Sequence, residues 1–108
     1  MKGGKRVLKS ERKKAKESVL SNERKCYICG SRGYLHKHHI YYGKNRKNSD
    51  DYGFWVWLCE PHHTGYCGVH TATGDFLDKR LKEECQREFE AQGHDRIEFM
   101  SIIGRNYL

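Results

Sequence analysis

Residues 35–70 read LHKHHIYYGKNRKNSDDYGFWVWLCEPHHTGYCGVH. Two stretches here suit β-strands. Residues 34–41 (YLHKHHIY) are one, with imperfect alternation. Residues 54–58 (FWVWL), aromatic and β-branched, are the stronger one. Between them, residues 42–53 (YGKNRKNSDDYG) are polar and predict a loop. Residues 59–74 carry Cys, His and Gly and predict mostly irregular backbone.

Working outward, residues 24–33 (RKCYICGSRG) predict a knuckle-like turn. Cys26-Tyr-Ile-Cys29 and Cys59-Glu-Pro-His62 are both x-x spaced pairs, and such a pair can converge on one ion from a single tight turn. A Cys₃His zinc on Cys26, Cys29, Cys59 and His62 would tie the turn before the first strand to the segment after the second. Cys67 could replace His62 as fourth ligand; His62 is preferred because it repeats the knuckle spacing. Cys85 falls on an apolar helical face and reads as a core residue.

Five further histidines precede the C-terminal region: His36, His38, His39, His63 and His70. Neighbouring side chains on a strand point to opposite faces, so His38 and His39 cannot share one role. One can bind metal while the other acts on a substrate. His63 and His70 are placed to return to the same metal from beyond the second strand. His36 and His94 receive no role: the first reads as a surface or strand residue, the second as part of a turn.

Leu77, Leu81, Cys85 and Phe89 recur every four residues, one face of a helix from about Asp75 to Gln92, ended by Gly93. Asp95-Arg-Ile-Glu98 is a capping-box pattern for a short last helix, with Ile97, Met100, Ile102 and Ile103 to bury and Gly104 to close it. At the other end, residues 9–20 (KSERKKAKESVL) read as a basic helix that Ser10 can cap. Residues 1–23 form a basic arm and residues 24–108 one domain, with no internal repeat or linker.

The charge is localised. Residues 1–25 hold ten Lys or Arg against three Glu, matching the whole net charge of +7, and the remainder is balanced. A basic arm on a neutral domain suggests a phosphate-backbone partner, with Arg12, Lys13 and Lys16 as contacts. The odd count of five Cys argues against a secreted disulfide framework. With no apolar stretch of membrane length, the expected setting is the cytoplasm, with reduced thiols. A chain of 108 residues with 36% apolar residues also wants a metal or disulfide staple.

The order CxxC, HHI, polar loop, hydrophobic strand ending Leu58-Cys59, then His62-His63 and a later His70 resembles the HNH endonucleases. The stretch quoted above, the helix LKEECQREFE and the ending FMSIIGRNYL are similar to small HNH proteins of phages and prophages. The resemblance covers about residues 24–108 and leaves the arm outside. It implies a small α+β fold: a ββα-metal core with structural zinc, an N-terminal basic helix and two C-terminal helices. It implies DNA as substrate, His38 and His63 as ligands of a catalytic divalent metal, and His39 as general base. His70 would be a third ligand or a phosphate contact. The family's Asn before the second strand has no counterpart in Tyr52-Gly53-Phe54; Asn45 and Asn48 are the nearest. The two Gly between His63 and His70 make a poor helix, so His70 is expected from a loop.

Phosphodiester hydrolysis needs an activated water and a cation on the phosphate. A divalent ion supplies Lewis acidity, and a neutral imidazole takes the water's proton. Mg²⁺ or Mn²⁺ is the expected catalytic ion, with Ni²⁺ or Zn²⁺ as alternatives. Lys44, Arg46 and Lys47 in the loop could grip the phosphates. The alternative function is a zinc-stapled nucleic-acid-binding module without catalysis, and a third is a protein-interaction role for the aromatic strand. The expected oligomeric state is monomeric by default.

Overall fold

The computed structural model describes residues 17–66 and 68–108. The alternating aromatic and histidine stretches form one antiparallel hairpin, β1 (Leu35–His39) and β2 (Trp55–Cys59). Leu35 pairs with Cys59, Lys37 with Trp57 and His39 with Trp55; His36 pairs with Leu58 and His38 with Val56. Directly paired residues share a face, so His36 and His38 lie on one face and His39 on the other. Both strands start one residue later than the sequence predicts.

The polar connection is not a loop. A 3₁₀ turn (Gly43–Asn45) leads into α1 (Arg46–Tyr52), which Gly53 closes at φ 78°. The segment carries no apolar helical stripe because its anchoring is polar. The buried Ser49 hydroxyl donates to the Tyr41 carbonyl at 2.6 Å and accepts from the Tyr41 amide at 3.1 Å. Side-chain amides of Asn45 and Asn48 donate to the carbonyls of Ile103 and Ile102, at 2.9 and 3.0 Å. Those two carbonyls belong to the last turn of a C-terminal helix, where backbone acceptors lack partners.

After β2 comes one helical turn, α2 (Glu60–His63), with Pro61 in its first turn, where its missing amide costs nothing. This corrects the expectation of irregular backbone at 60–63. Helices α3 (Asp75–Ala91) and α4 (Arg96–Ile103) follow. The Asp95 carboxylate caps α4 by accepting the Glu98 amide at 2.8 Å, and Gly104 ends it at φ 97°. Leu81, Cys85 and Phe89 of α3 are buried as their spacing requires. In α4 the buried residues are Phe99 and Ile103; Ile97 and Met100 are exposed, against expectation, because the helix packs through one narrow stripe. Phe54, Phe89, Phe99 and Tyr41 form the aromatic centre, with ring centroids 5.1–6.1 Å apart in the closest pairs.

Residues 9–16 of the expected basic helix lie outside the described residues, as do Arg12, Lys13 and Lys16. Residues 17–20 are not helical. Instead the Val19 amide donates to the Gly53 carbonyl at 2.9 Å and the Ser18 hydroxyl bonds the Trp55 carbonyl, docking this segment beside β2. No helix among the described residues is long and apolar enough to cross a membrane.

Two candidate metal centres

The first centre is built by the 26–30 turn, the end of β2 and α2. Gly30 sits at φ 80°, and its amide donates to the Cys26 carbonyl at 2.8 Å, closing a tight knuckle. One ligand atom from each of Cys26, Cys29, Cys59 and His62 lies within 4.8 Å of the others. Cys29 and Cys59 sulfurs are 3.7 Å apart, and His62 Nδ1 stands 3.8 Å from Cys26 and 3.3 Å from Cys59. Zinc–thiolate bonds of about 2.3 Å would give a tetrahedral S···S edge of about 3.8 Å. The spacing therefore fits a shared ion better than a set of weak thiol hydrogen bonds. Electrostatics point the same way. Burial pushes the Cys26 thiol up, but backbone amides of Cys59, Cys29 and Ile28 outweigh it and hold it low. Burial, with the neighbouring Cys26 and Cys29 sulfurs, pushes Cys59 up. Three sulfurs this close resist joint ionisation until a cation joins them. Cys26, Cys29, Cys59 and His62 thus lie close enough to hold a metal ion, compatible with structural zinc. Cys67 lies outside the described residues. Cys85 is a buried core thiol that burial pushes up.

The second cluster gathers His38 from β1, His63 from α2 and His70 from the following turn. One nitrogen from each lies within 4.8 Å of the others. Ring centroids are 5.2 Å apart for His38–His63, 5.1 Å for His38–His70 and 4.9 Å for His63–His70. His70 does arrive from a turn, and the two glycines that spoil a helix make it possible. The chain folds back on α2 so that the Val69 and His70 amides donate to the His62 and His63 carbonyls, at 3.0 and 3.4 Å. A methyl group on Gly68 would clash with the His63 carbonyl, and one on Gly65 would stand 2.6 Å from Pro61 Cα.

His38 is fully buried, and its Nε2 has no hydrogen-bond partner among the described residues. Burial, followed by the charges His63 and His70 would carry, lowers its pKa to about 3. Burial, then His70 and His36, lowers His63 to about 4. Both rings are neutral at pH 7, the state a metal requires of them. An orphaned buried nitrogen with two other imidazole nitrogens close by suits a cation as its missing partner.

Comparison with protein-family models, curated proteins and solved structures finds no match.

His39 is not part of this cluster. It faces the other side of the hairpin, where its Nε2 lies 3.3 Å from Asp50 Oδ1. Burial lowers its pKa, against an opposing pull from Asp50. Lys37 also bonds Asp50, at 3.1 Å. Asp50 and Arg46 are one turn apart on α1, and the Arg46 charge reaches His39. Asp50 was missed because its segment read as a loop; helical i, i+4 spacing of Arg46 and Asp50 was the available signal. Lys44, Arg46 and Lys47 are exposed, and Lys47 pairs with Asp51 at 2.9 Å. Asn45 and Asn48 are bonded to α4 rather than turned to either cluster. His36, given no role from sequence, has its Nδ1 2.8 Å from His63 Nδ1. His94 stacks on Phe89 at 4.1 Å and bonds Glu98 at 2.9 Å.

Proposed function

We propose that this chain is a small HNH-type (ββα-metal) endonuclease that hydrolyses DNA phosphodiester bonds. The observation that carries it is the second cluster: three imidazoles whose nitrogens converge, one of them buried and orphaned, separate from the cysteine set. A binding module needs one stapling ion and has no use for a second, three-donor set. Structural zinc would sit on Cys26, Cys29, Cys59 and His62, and a catalytic divalent ion on His38, His63 and His70.

Bound there, the divalent ion supplies Lewis acidity to the phosphate and the leaving oxygen. His39 is the general base. With its Nε2–H donated to the Asp50 carboxylate, Nδ1 holds the lone pair that takes the water's proton. Arg46, whose charge reaches His39, would steady the phosphates together with Lys44 and Lys47. The arm adds non-specific backbone affinity through Arg12, Lys13 and Lys16. An all-imidazole donor set favours Mn²⁺, Ni²⁺ or Zn²⁺ over Mg²⁺, which prefers oxygen.

The test is supercoiled plasmid incubated with zinc-loaded protein and Mn²⁺, Mg²⁺, Ni²⁺ or EDTA. Cutting is expected with a divalent ion and not with EDTA. His39→Ala should keep both ions and DNA binding but lose about 10²–10⁴-fold in rate. Because burial lowers the His39 pKa, the rate should hold at pH 6.5 and fall in more acid solution. If no ion supports cutting while DNA still binds, the chain is a zinc-stapled binding module.

A further inference from the structure

His36 shares the β1 face of His38, two residues away, and pairs with Leu58 across the hairpin. Its ring meets His63 edge-on, with centroids 5.0 Å apart. The two Nδ1 atoms are 2.8 Å apart, a good hydrogen-bond distance. On its other side the Tyr34 ring stands edge-on at 5.2 Å. His36 is outside the set whose nitrogens all lie within 4.8 Å of one another. It therefore touches one member of the cluster without belonging to it.

We propose that His36 is a positioning residue of the second metal centre, accepting the His63 Nδ1–H and so presenting His63 Nε2 to the ion. A hydrogen bond between two neutral imidazoles needs one donor and one acceptor. If His36 donated, His63 would carry its own proton on Nε2 and have no lone pair left for a cation. Ion binding thus requires the opposite direction, with His63 donating from Nδ1. Ligand histidines are held in tautomer and orientation in this way, usually by a carboxylate or carbonyl; here a second imidazole does it. His63 lies at the end of α2, a single helical turn, so the bond from His36 adds a side-chain constraint to the backbone ones. This role rests on the second cluster being a metal centre, and not on whether that centre cuts DNA.

The experiment titrates Mn²⁺ into zinc-loaded full-length protein and follows the loss of the free-ion EPR signal. Two variants separate the possibilities, with zinc content and melting checked in each. His36→Phe keeps the ring and removes the acceptor; His36→Asn places an amide oxygen near the old Nδ1. Mn²⁺ affinity should fall about 10–100-fold in His36→Phe, the usual size of such a loss. It should return close to the parent value in His36→Asn. Unchanged affinity in His36→Phe would overturn the role. Equal weakness in both variants would also overturn it, since Asn keeps the acceptor but is too short to serve as a ligand. If the parent takes up no Mn²⁺, the centre and the role fall together. If it binds Mn²⁺ but leaves plasmid intact, the nuclease function fails and His36 keeps its place.

Discussion

The two clusters are neighbours built on different principles. The cysteine set offers four donors and, on ionisation, net negative charge, and its knuckle wraps it from the sequence-near side. The histidine set offers three imidazole donors from three separate pieces of chain, one short of a tetrahedral set. Closed four-donor sites hold structure together, whereas three-donor sites leave room for chemistry. On the proposed assignment the first cluster would serve stability and the second the chemistry.

The comparison breaks most visibly at Cys59. Cys59→Ala should abolish zinc binding and cost several kcal/mol or prevent folding, because ion binding is folding free energy in a domain this small. Zinc content by mass spectrometry and a thermal melt check it; a zinc-free variant melting like the parent would remove the structural half of the contrast. His38→Ala should be the mirror case. It keeps zinc and a cooperative melt but loses uptake of the second ion, and if zinc is lost too the two clusters are not separable.

Gly68→Ala sharpens the contrast within the backbone. The added methyl meets the His63 carbonyl and the Thr64 nitrogen, so the return of His70 is disturbed, and no cysteine is among its nearest contacts. Second-ion affinity should drop by roughly 10–100-fold, the size seen when a ligand's support is disturbed. An equal loss at the cysteine set, read by zinc competition with a chelator, would contradict this.

Acid should act on the histidine set of the ion-free second site. His38 and His63 have folded pKa values of about 3 and about 4, below the ordinary 6.5. The unfolded chain thus binds more protons than the folded one as pH falls below 6.5. Their contribution is complete above pH 6.5 and is lost progressively down to the folded values. For the fully buried His38 it amounts to no more than roughly 5 kcal/mol. Urea melts at pH 7 and pH 5 should show the drop, and His38→Phe should flatten it.

The smallest effect on either cluster comes from removing residues 1–16. Both ions should stay. The slope of log DNA affinity against log salt should shrink by up to roughly 0.9 for each lost phosphate contact. The cut is placed before Ser18 because Ser18 and Val19 are packed against β2 and its approach. An unchanged slope would show that the arm does not touch DNA.

What could be read from the sequence was what has a short period or a tight spacing. The CxxC and CxxH pairs, the aromatic strand, the four-residue repeat of α3 and the Asp95 cap all declare themselves within a few residues. The α1 helix did not, because its single buried residue is Ser49 and its anchors are hydrogen bonds to distant carbonyls. His36 and Asp50 were missed for a related reason. Each meets a singled-out histidine, His63 or His39, only after the hairpin closes. The triad itself was legible as residue types, but its closure depends on the Gly65–Gly68 turn, whose composition argued against order.

His62 and His63 are consecutive residues on one helical turn, yet they serve different clusters. On the proposed assignment, metallation has an order. Zinc capture fixes α2, and that fixes the bearing of His63 before any second ion arrives. A chain made under zinc starvation would then stay idle however much catalytic metal surrounded it. Zinc delivered later to the cysteine set would switch on the neighbouring histidine site.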